Sequence, residues 1–245
     1  MFSTAHFIWL GCIFAAIAIA FVITKKLRPS HRTVHLIVTL LLIATKVLHT
    51  ALSIKEVPAE LGGGFVIEQS NLPFHLCSMM IYFTVFLHFV KNESTRAKIK
   101  SFMVPAMLIG AAMALLIPTV GVDPAALRTW EYMLAHGVLV FYGLYLMAIE
   151  KVDLSIKAYF NNLQILLATV IVAFIMNSIL VEGDANYFFL RKPPMDNLPI
   201  LNLNNGWHVY FLTLVAVACT LIFLVQLPFI IKGFKAKKES SKTNS

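Results

Sequence analysis

The run AHFIWLGCIFAAIAIAFVIT, residues 5–24, carries no Asp, Glu, Lys or Arg and is closed by Lys25 and Lys26. At a rise of ~1.5 Å per residue, a helix of this length crosses the ~30 Å of hydrocarbon in a bilayer. The run is long for the core of a signal peptide, lacks a basic start, and has no small-residue cleavage site before Lys25, so it reads as a retained helix. Further apolar runs lie near 33–54, 72–90, 102–118, 130–149, 160–181 and 207–230, and the breaks between them hold nearly all the charges. The chain is 59% hydrophobic and only 13% charged, against the roughly 25% charged residues of a soluble domain. The expected architecture is therefore all-α: a polytopic bundle of seven transmembrane helices in one domain, residues 1–231, followed by a basic tail, residues 232–245.

The basic residues assign the two sides, because cytoplasmic loops are enriched in Lys and Arg. Lys25, Lys26, Arg28 and Arg32 fall in the first connection, Lys91, Arg96, Lys98 and Lys100 in the third, and Lys151 and Lys157 in the fifth. The tail adds Lys232, Lys235, Lys237, Lys238 and Lys242. The opposite side holds only Lys55, Arg128, Arg191 and Lys192, fifteen against four, with Lys46 inside a run. The expectation is a multi-pass protein of the cell membrane with its N-terminus outside and its C-terminus cytoplasmic. The net charge of +8 is then a topology signal, with no support for a nucleic-acid partner. Cys12, Cys77 and Cys219 are single cysteines in apolar runs, so neither a disulfide framework nor a zinc site is suggested, and no cofactor is implied. The Gly62-Gly63-Gly64 run lacks the strand and Lys-Ser/Thr of a phosphate loop and reads as a flexible linker.

Polar residues inside apolar runs usually face a bundle interior or a water-filled cavity. In the second run His35, Thr39, Lys46, His49 and Ser53 follow helical spacing, and in the third Asn71, His75, Ser78 and Tyr82 do the same. Tyr132, His136 and Gly143 share a face of the fifth run, and His208, Cys219 and Gln226 a face of the seventh. Counting from outer ends at Ile54, Leu72, Trp130, Val181 and Trp207, the residues His49, His75, His136, Asn177 and His208 all lie within roughly 10 Å of the outer boundary. Lys46 is one turn deeper. Five helices thus deliver imidazole, amide or ammonium groups to one layer, which points to a functional pocket, while a structural polar network is the plainer reading. Histidine supplies proton transfer, and a buried Lys pairs with a carboxylate such as Glu131. The histidines of this layer come from different helices and form no HxxxH or HxxE pair, so spacing gives a metal no direct support. On a continuous third helix, Cys77 stands ~200° from His75 and off the polar face, the place of an inert packing thiol.

The block Asn71-Leu72-Pro73-Phe74-His75-Leu76-Cys77, together with His136-Gly137, Asn177 and Asn186-Tyr187-Phe188-Phe189-Leu190-Arg191-Lys192-Pro193, resembles the bacterial YwaF-type integral membrane family. That family is related to the eukaryotic transmembrane protein 164, regarded as a phospholipid acyltransferase using a cysteine. The resemblance covers most of the chain and implies lipid acyl transfer, with Cys77 as the matching nucleophile and His136 as general base. An acyl chain entering sideways between helices would let a thiol on a lateral cleft act from off the most polar face.

The resulting expectation is a lipid acyltransferase or acyl hydrolase working near the outer leaflet, with membrane lipids, including an acyl-lipid substrate, as partners. Its catalytic residues are His136, Cys77 and His75, and its binding residues Lys46, His49, Asn177, Asn186 and His208. A histidine-only mechanism keeps Cys77 as packing. A non-enzymatic alternative is a small-solute transporter or heptahelical sensor using the same His/Lys network.

Overall fold

The computed structural model describes residues 3–58, 60, 62–180, 185–195 and 198–243. Among them the chain forms α1 (Thr4–Leu27), α2 (His31–Leu52), α3 (Leu76–Phe86), α4 (Glu93–Leu116), α5 (Leu127–Tyr145), α6 (Ile156–Ile179) and α7 (Trp207–Thr243). Two short strands, β1 (Ile54–Glu56) and β2 (Phe65–Ile67), pair antiparallel between α2 and α3. Six of the helices are long and apolar enough to cross a membrane; α3 is shorter. Val181, expected as the outer end of the sixth helix, lies outside the described residues.

Local chemistry sets most helix starts. Ser3, Ser30, Asn92 and Ser155 cap α1, α2, α4 and α6 by accepting a backbone N–H from the first turn, which satisfies a donor that has no intrahelical partner. The α1 helix stops where Arg28 turns left-handed (φ 48°) ahead of Pro29. The three glycines near the tip of the β1–β2 hairpin, Gly62, Gly63 and Gly64, have φ of 100°, 66° and 101°, a region costly for any residue with a Cβ. The run expected as a linker is thus the turn of a small hairpin.

The helices α4 and α5 form the centre. The first packs against α3, α5, α6 and α7, the second against α1 and α2 as well, and every residue from Ser101 to Met107 is buried. A Cβ at Gly143 would sit 3.1 Å from the Leu108 side chain, and one at Gly137 3.1 Å from Ile13; both glycines let neighbouring helices approach closely. Outward rows such as Phe7, Ile8, Leu40, Val47, Phe174, Ile175, Val209 and Leu212 are exposed and apolar, as a surface solvated by lipid chains requires.

Connections gather at two ends. At one end Thr129 donates to the Gly121 carbonyl (3.0 Å), Trp207 to that of Leu190 (2.8 Å), and Tyr187 to that of Gln69. The N-terminus belongs there, His6 Nε2–H donating to the Leu115 carbonyl at 2.9 Å. At the other end Lys100 pairs with Glu150, and Ser101 donates to the Asp153 carbonyl at 2.7 Å. The α7 helix runs from the hairpin end to the tail end and on through Lys232 and Lys235 to Thr243 without a break, so the basic tail continues the last helix.

The third helix corrects the sequence reading. It begins at Leu76, and Leu72 (ψ 152°) and His75 (ψ 154°) are extended. Pro73 disfavours helical geometry at Leu72, and Asn71 closes a separate 3-10 turn, Gln69–Asn71. Asn71 and His75 therefore share no helical face with Ser78 and Tyr82, and the angular argument against Cys77 loses its basis. At its far end Arg96 donates to the carbonyls of Leu87 and, at 3.1 Å, Val90, satisfying acceptors that a helix of ~16 Å leaves open.

Candidate functional site

The end of α2 and the start of α5 are joined through Arg128. Its Nη1 donates to His49 Nδ1 at 2.8 Å and stands 3.3 Å from Glu131 Oε2, while Nη2 donates to Asn71 Oδ1 at 3.3 Å. Weaker approaches of 3.4 Å reach the His49 carbonyl and Ser53 Oγ. His49 Nε2–H donates to the Asn71 carbonyl at 3.3 Å, while Nδ1, which Arg128 approaches at 2.8 Å, also stands 3.3 Å from Glu131 Oε2. Glu131 is only 5% exposed, and a carboxylate at that depth requires a cation beside it. The Glu68 carboxyl in the connection before the 3-10 turn is held below the usual carboxylate range, first by its hydrogen bond from Lys55; Asn71 Nδ2 also donates to it at 3.3 Å.

Lys46 lies within electrostatic reach of Glu131 and Arg128. Its ammonium makes no hydrogen bond or contact ion pair among the described residues, because Arg128 takes the carboxylate expected for it. Instead Lys46 lines a lateral groove of about 950 Å³ between α2 and α3, otherwise walled mainly by Ile43, Val47, Ile81, Val85 and Phe86. One ammonium thus stands in an apolar cleft open to the lipid side.

Cys77 occupies the second position of α3, and no side chain caps that helix start. The N–H groups of the first turn have no intrahelical acceptor, and that of Cys77 itself lies beside the thiol. The Sγ packs against α4 where a Cβ on Gly110 would meet it at 3.4 Å. Tyr132 lies within electrostatic reach of Cys77, and its ring centroid is 4.2 Å from that of His136. Tyr132 OH is itself held on the Ala114 carbonyl at 3.0 Å. His136 Nδ1–H donates to the Tyr132 carbonyl at 2.7 Å, and that tautomer leaves the Nε2 lone pair available to accept a proton.

His75 sits at the head of α3 with its ring 5.2 Å from Tyr187, edge to face, and 5.7 Å from Phe189. Asn177 grips Tyr187 by both sides of its amide: Asn177 Nδ2 donates to the Tyr187 carbonyl at 3.0 Å, and Oδ1 accepts the Tyr187 N–H at 2.8 Å. Asn177 accordingly holds the residue that packs on His75. Asn186 does local work, with Oδ1 accepting from the Arg191 N–H (3.0 Å) and Nδ2 donating to the Lys192 carbonyl (2.9 Å). His208 is exposed on α7 beside the Trp207 ring, apart from these contacts.

The structure therefore gathers Lys46, His49, His75, Cys77 and His136 toward one end of the bundle, with Asn177 as a support, and leaves Asn186 and His208 outside the contact set. Arg128, counted in sequence as an outer charge, Tyr132, placed on the face of His136, and Tyr187, part of the quoted block, were given no site role there. The spacing of Arg128 and Glu131, three residues apart on a helix, was the available signal for the first. No group of three or more His, Cys, Asp or Glu suited to a metal occurs among the described residues.

No curated protein and no solved structure matches the chain. The model of the TMEM164 family matches residues 1–226, nearly the whole length and all the residues just described. With its long apolar helices, this makes it an integral, multi-pass membrane protein: the chain belongs to the TMEM164 family.

Proposed function

We propose that the chain transfers or hydrolyses lipid acyl groups near the outer leaflet of the cell membrane. The observation that carries this reading is the Cys77 thiol in the uncapped first turn of α3, a helix whose side forms a wall of the lateral apolar groove. An acyl chain lies in the groove, Lys46 faces the phosphate or carboxylate of the lipid, and the ester carbonyl passes over the head of α3 to the thiol, which stands on the α4 side rather than in the groove wall. His136 Nε2 takes the Cys77 proton, and the thiolate attacks the carbonyl carbon. The N–H groups of the first turn stabilise the oxyanion. The bond to the lipid oxygen breaks, that oxygen takes the proton from His136, and a Cys77 thioester is left. An acceptor hydroxyl, or water, then attacks the thioester while His136 takes its proton, and the thiol is regenerated. His75, packed by Tyr187, positions the head of α3.

In the proposed membrane arrangement the six long helices and α3 with its non-helical flanks make seven passes. The N-terminus is outside, and residues 232–245 form a cytoplasmic tail on the domain of residues 1–231. The excess of Lys and Arg at the tail end supports that orientation. The function is tested by reconstituting the protein into phosphatidylcholine vesicles with labelled acyl chains and following the label into a lysolipid or free fatty acid. Wild type and the Cys12→Ser and Cys219→Ser variants should turn over label, and Cys77→Ser and His136→Ala should not. Full turnover by Cys77→Ser would leave the histidine-only mechanism in its place.

A further inference from the structure

At the tail end, away from the Cys77 site, a second histidine group ties α3 to α2 and α5. His35 on α2 is only 5% exposed. Its ring stacks on that of His88, just past the end of α3, with centroids 4.3 Å apart and planes at 29°. His35 Nδ1 is 2.6 Å from Tyr142 OH on α5, and the buried ring also faces the Thr84 backbone of α3. His88 is exposed, and its Nε2 is 3.1 Å from Thr39 Oγ1, one turn along α2 from His35. Nearby, His31 Nδ1 is 2.5 Å from Tyr145 OH.

We infer that the His35–His88 stack is an acid-sensitive latch that holds the foot of α3 closed against α2. The charged and titratable groups facing it are His31 and Arg32 from α2, Arg96 and Lys100 from α4, Tyr142 and Tyr145 from α5, and Glu150 after α5. Glu150 is paired with Lys100 and Glu93 with Arg96 at 3.6 Å, and with Arg32 added the groups just named, together with Glu93, are net cationic, with both carboxylates already engaged. Two imidazolium rings at this separation repel each other. A charge on His35 would also be buried next to Arg96 and Lys100.

The stack holds while at least one ring is neutral and is lost as falling pH charges both. The strain is relieved by moving His88 outward. His88 sits between Phe86 and Phe89, both of which line the lateral groove, so its departure carries the lower wall of α3 away from α2 and widens the groove. The proposal uses the groove as geometry alone and is independent of whether Cys77 transfers acyl groups.

The test is amide hydrogen exchange of the full chain in phosphatidylcholine nanodiscs, from about pH 8 down to about pH 4, where both rings take a proton, with α6 as internal reference for the intrinsic pH dependence of exchange. Exchange across α3 should rise several-fold relative to α6 on acidification in wild type. It should stay level in His88→Gln, which keeps a side-chain hydrogen-bonding group for Thr39 but takes no proton. His35→Gln, reporting on the buried ring, should behave the same way. An α3 that exchanges in constant ratio to α6 in wild type, or a His88→Gln variant with the full acid response, would overturn the latch.

Discussion

The Arg128 guanidinium donates to His49 Nδ1 at 2.8 Å, tying the first turn of α5 to the last turn of α2 at the mouth of the lateral groove. The same nitrogen stands 3.3 Å from the Glu131 carboxylate. Removing one member of a buried pair leaves the other uncompensated. Arg128→Met should therefore destabilise the protein by about 2 kcal/mol, discounted from the fully buried case because Arg128 keeps some solvent. Glu131→Gln added to it should recover most of that loss. Chemical unfolding in detergent micelles measures both, and additive losses in the double variant would remove the pairing from the account.

The two hydrogen bonds from Asn177 to Tyr187 are a second discrete element. Asn177→Ala leaves the Tyr187 N–H unsatisfied and its carbonyl with only the Leu190 N–H at 3.3 Å, at a cost of about 1–3 kcal/mol. The effect should appear as faster hydrogen exchange over residues 185–195 with α4 unchanged. Asn177→Asp keeps the acceptor and loses the donor, so its exchange should fall between wild type and alanine.

Much of the architecture is legible in hydropathy alone, because a membrane helix must be apolar along its length and a helix end must not be. The start of α3 was not legible in that way. Leu72, Pro73 and Phe74 are as apolar as the helix that follows, and only the backbone restriction at the Leu72-Pro73 bond separates them. That local effect moved Cys77 from the second turn of the expected helix to the first turn of the observed one. Asn177 and Asn186 were visible as polar residues near a boundary, but an amide's partner is a matter of tertiary structure. Asn177 reaches Tyr187 ten residues away. Arg128 was read as a loop charge because its helix was expected to begin two residues later, at Trp130. His208 followed helical spacing with Cys219 and Gln226, and spacing does not say which helix face meets a neighbour.

Lys46 separates a structural from a recognition role. Lys46→Met removes the ammonium and keeps an apolar stem of similar reach, relieving the desolvation of a charge within the span, which insertion scales put at about 2.5–3.5 kcal/mol. Folding and membrane accumulation should be normal or improved, while binding of an anionic or zwitterionic phospholipid, read by photocrosslinking to the groove wall at Ile81 or Val85, should be lost. Reduced accumulation with undiminished crosslinking would instead make Lys46 a strut.

Orientation is read by two engineered cysteines. An impermeant maleimide added outside intact cells should label Gly63→Cys at the hairpin tip and miss Ser240→Cys in the tail. The reverse pattern would invert the proposed topology and place the groove mouth on the cytoplasmic side.

The most direct measurement is capture of the covalent intermediate. Wild-type protein mixed with phospholipid bearing a labelled acyl chain, then quenched in acid before turnover completes, should carry label that neutral hydroxylamine releases. Mass spectrometry should place it on Cys77, with Cys12 and Cys219 unmodified. His136→Ala should accumulate less. A chain that transfers acyl groups and carries no thioester, or one whose label maps elsewhere than Cys77, would contradict the account.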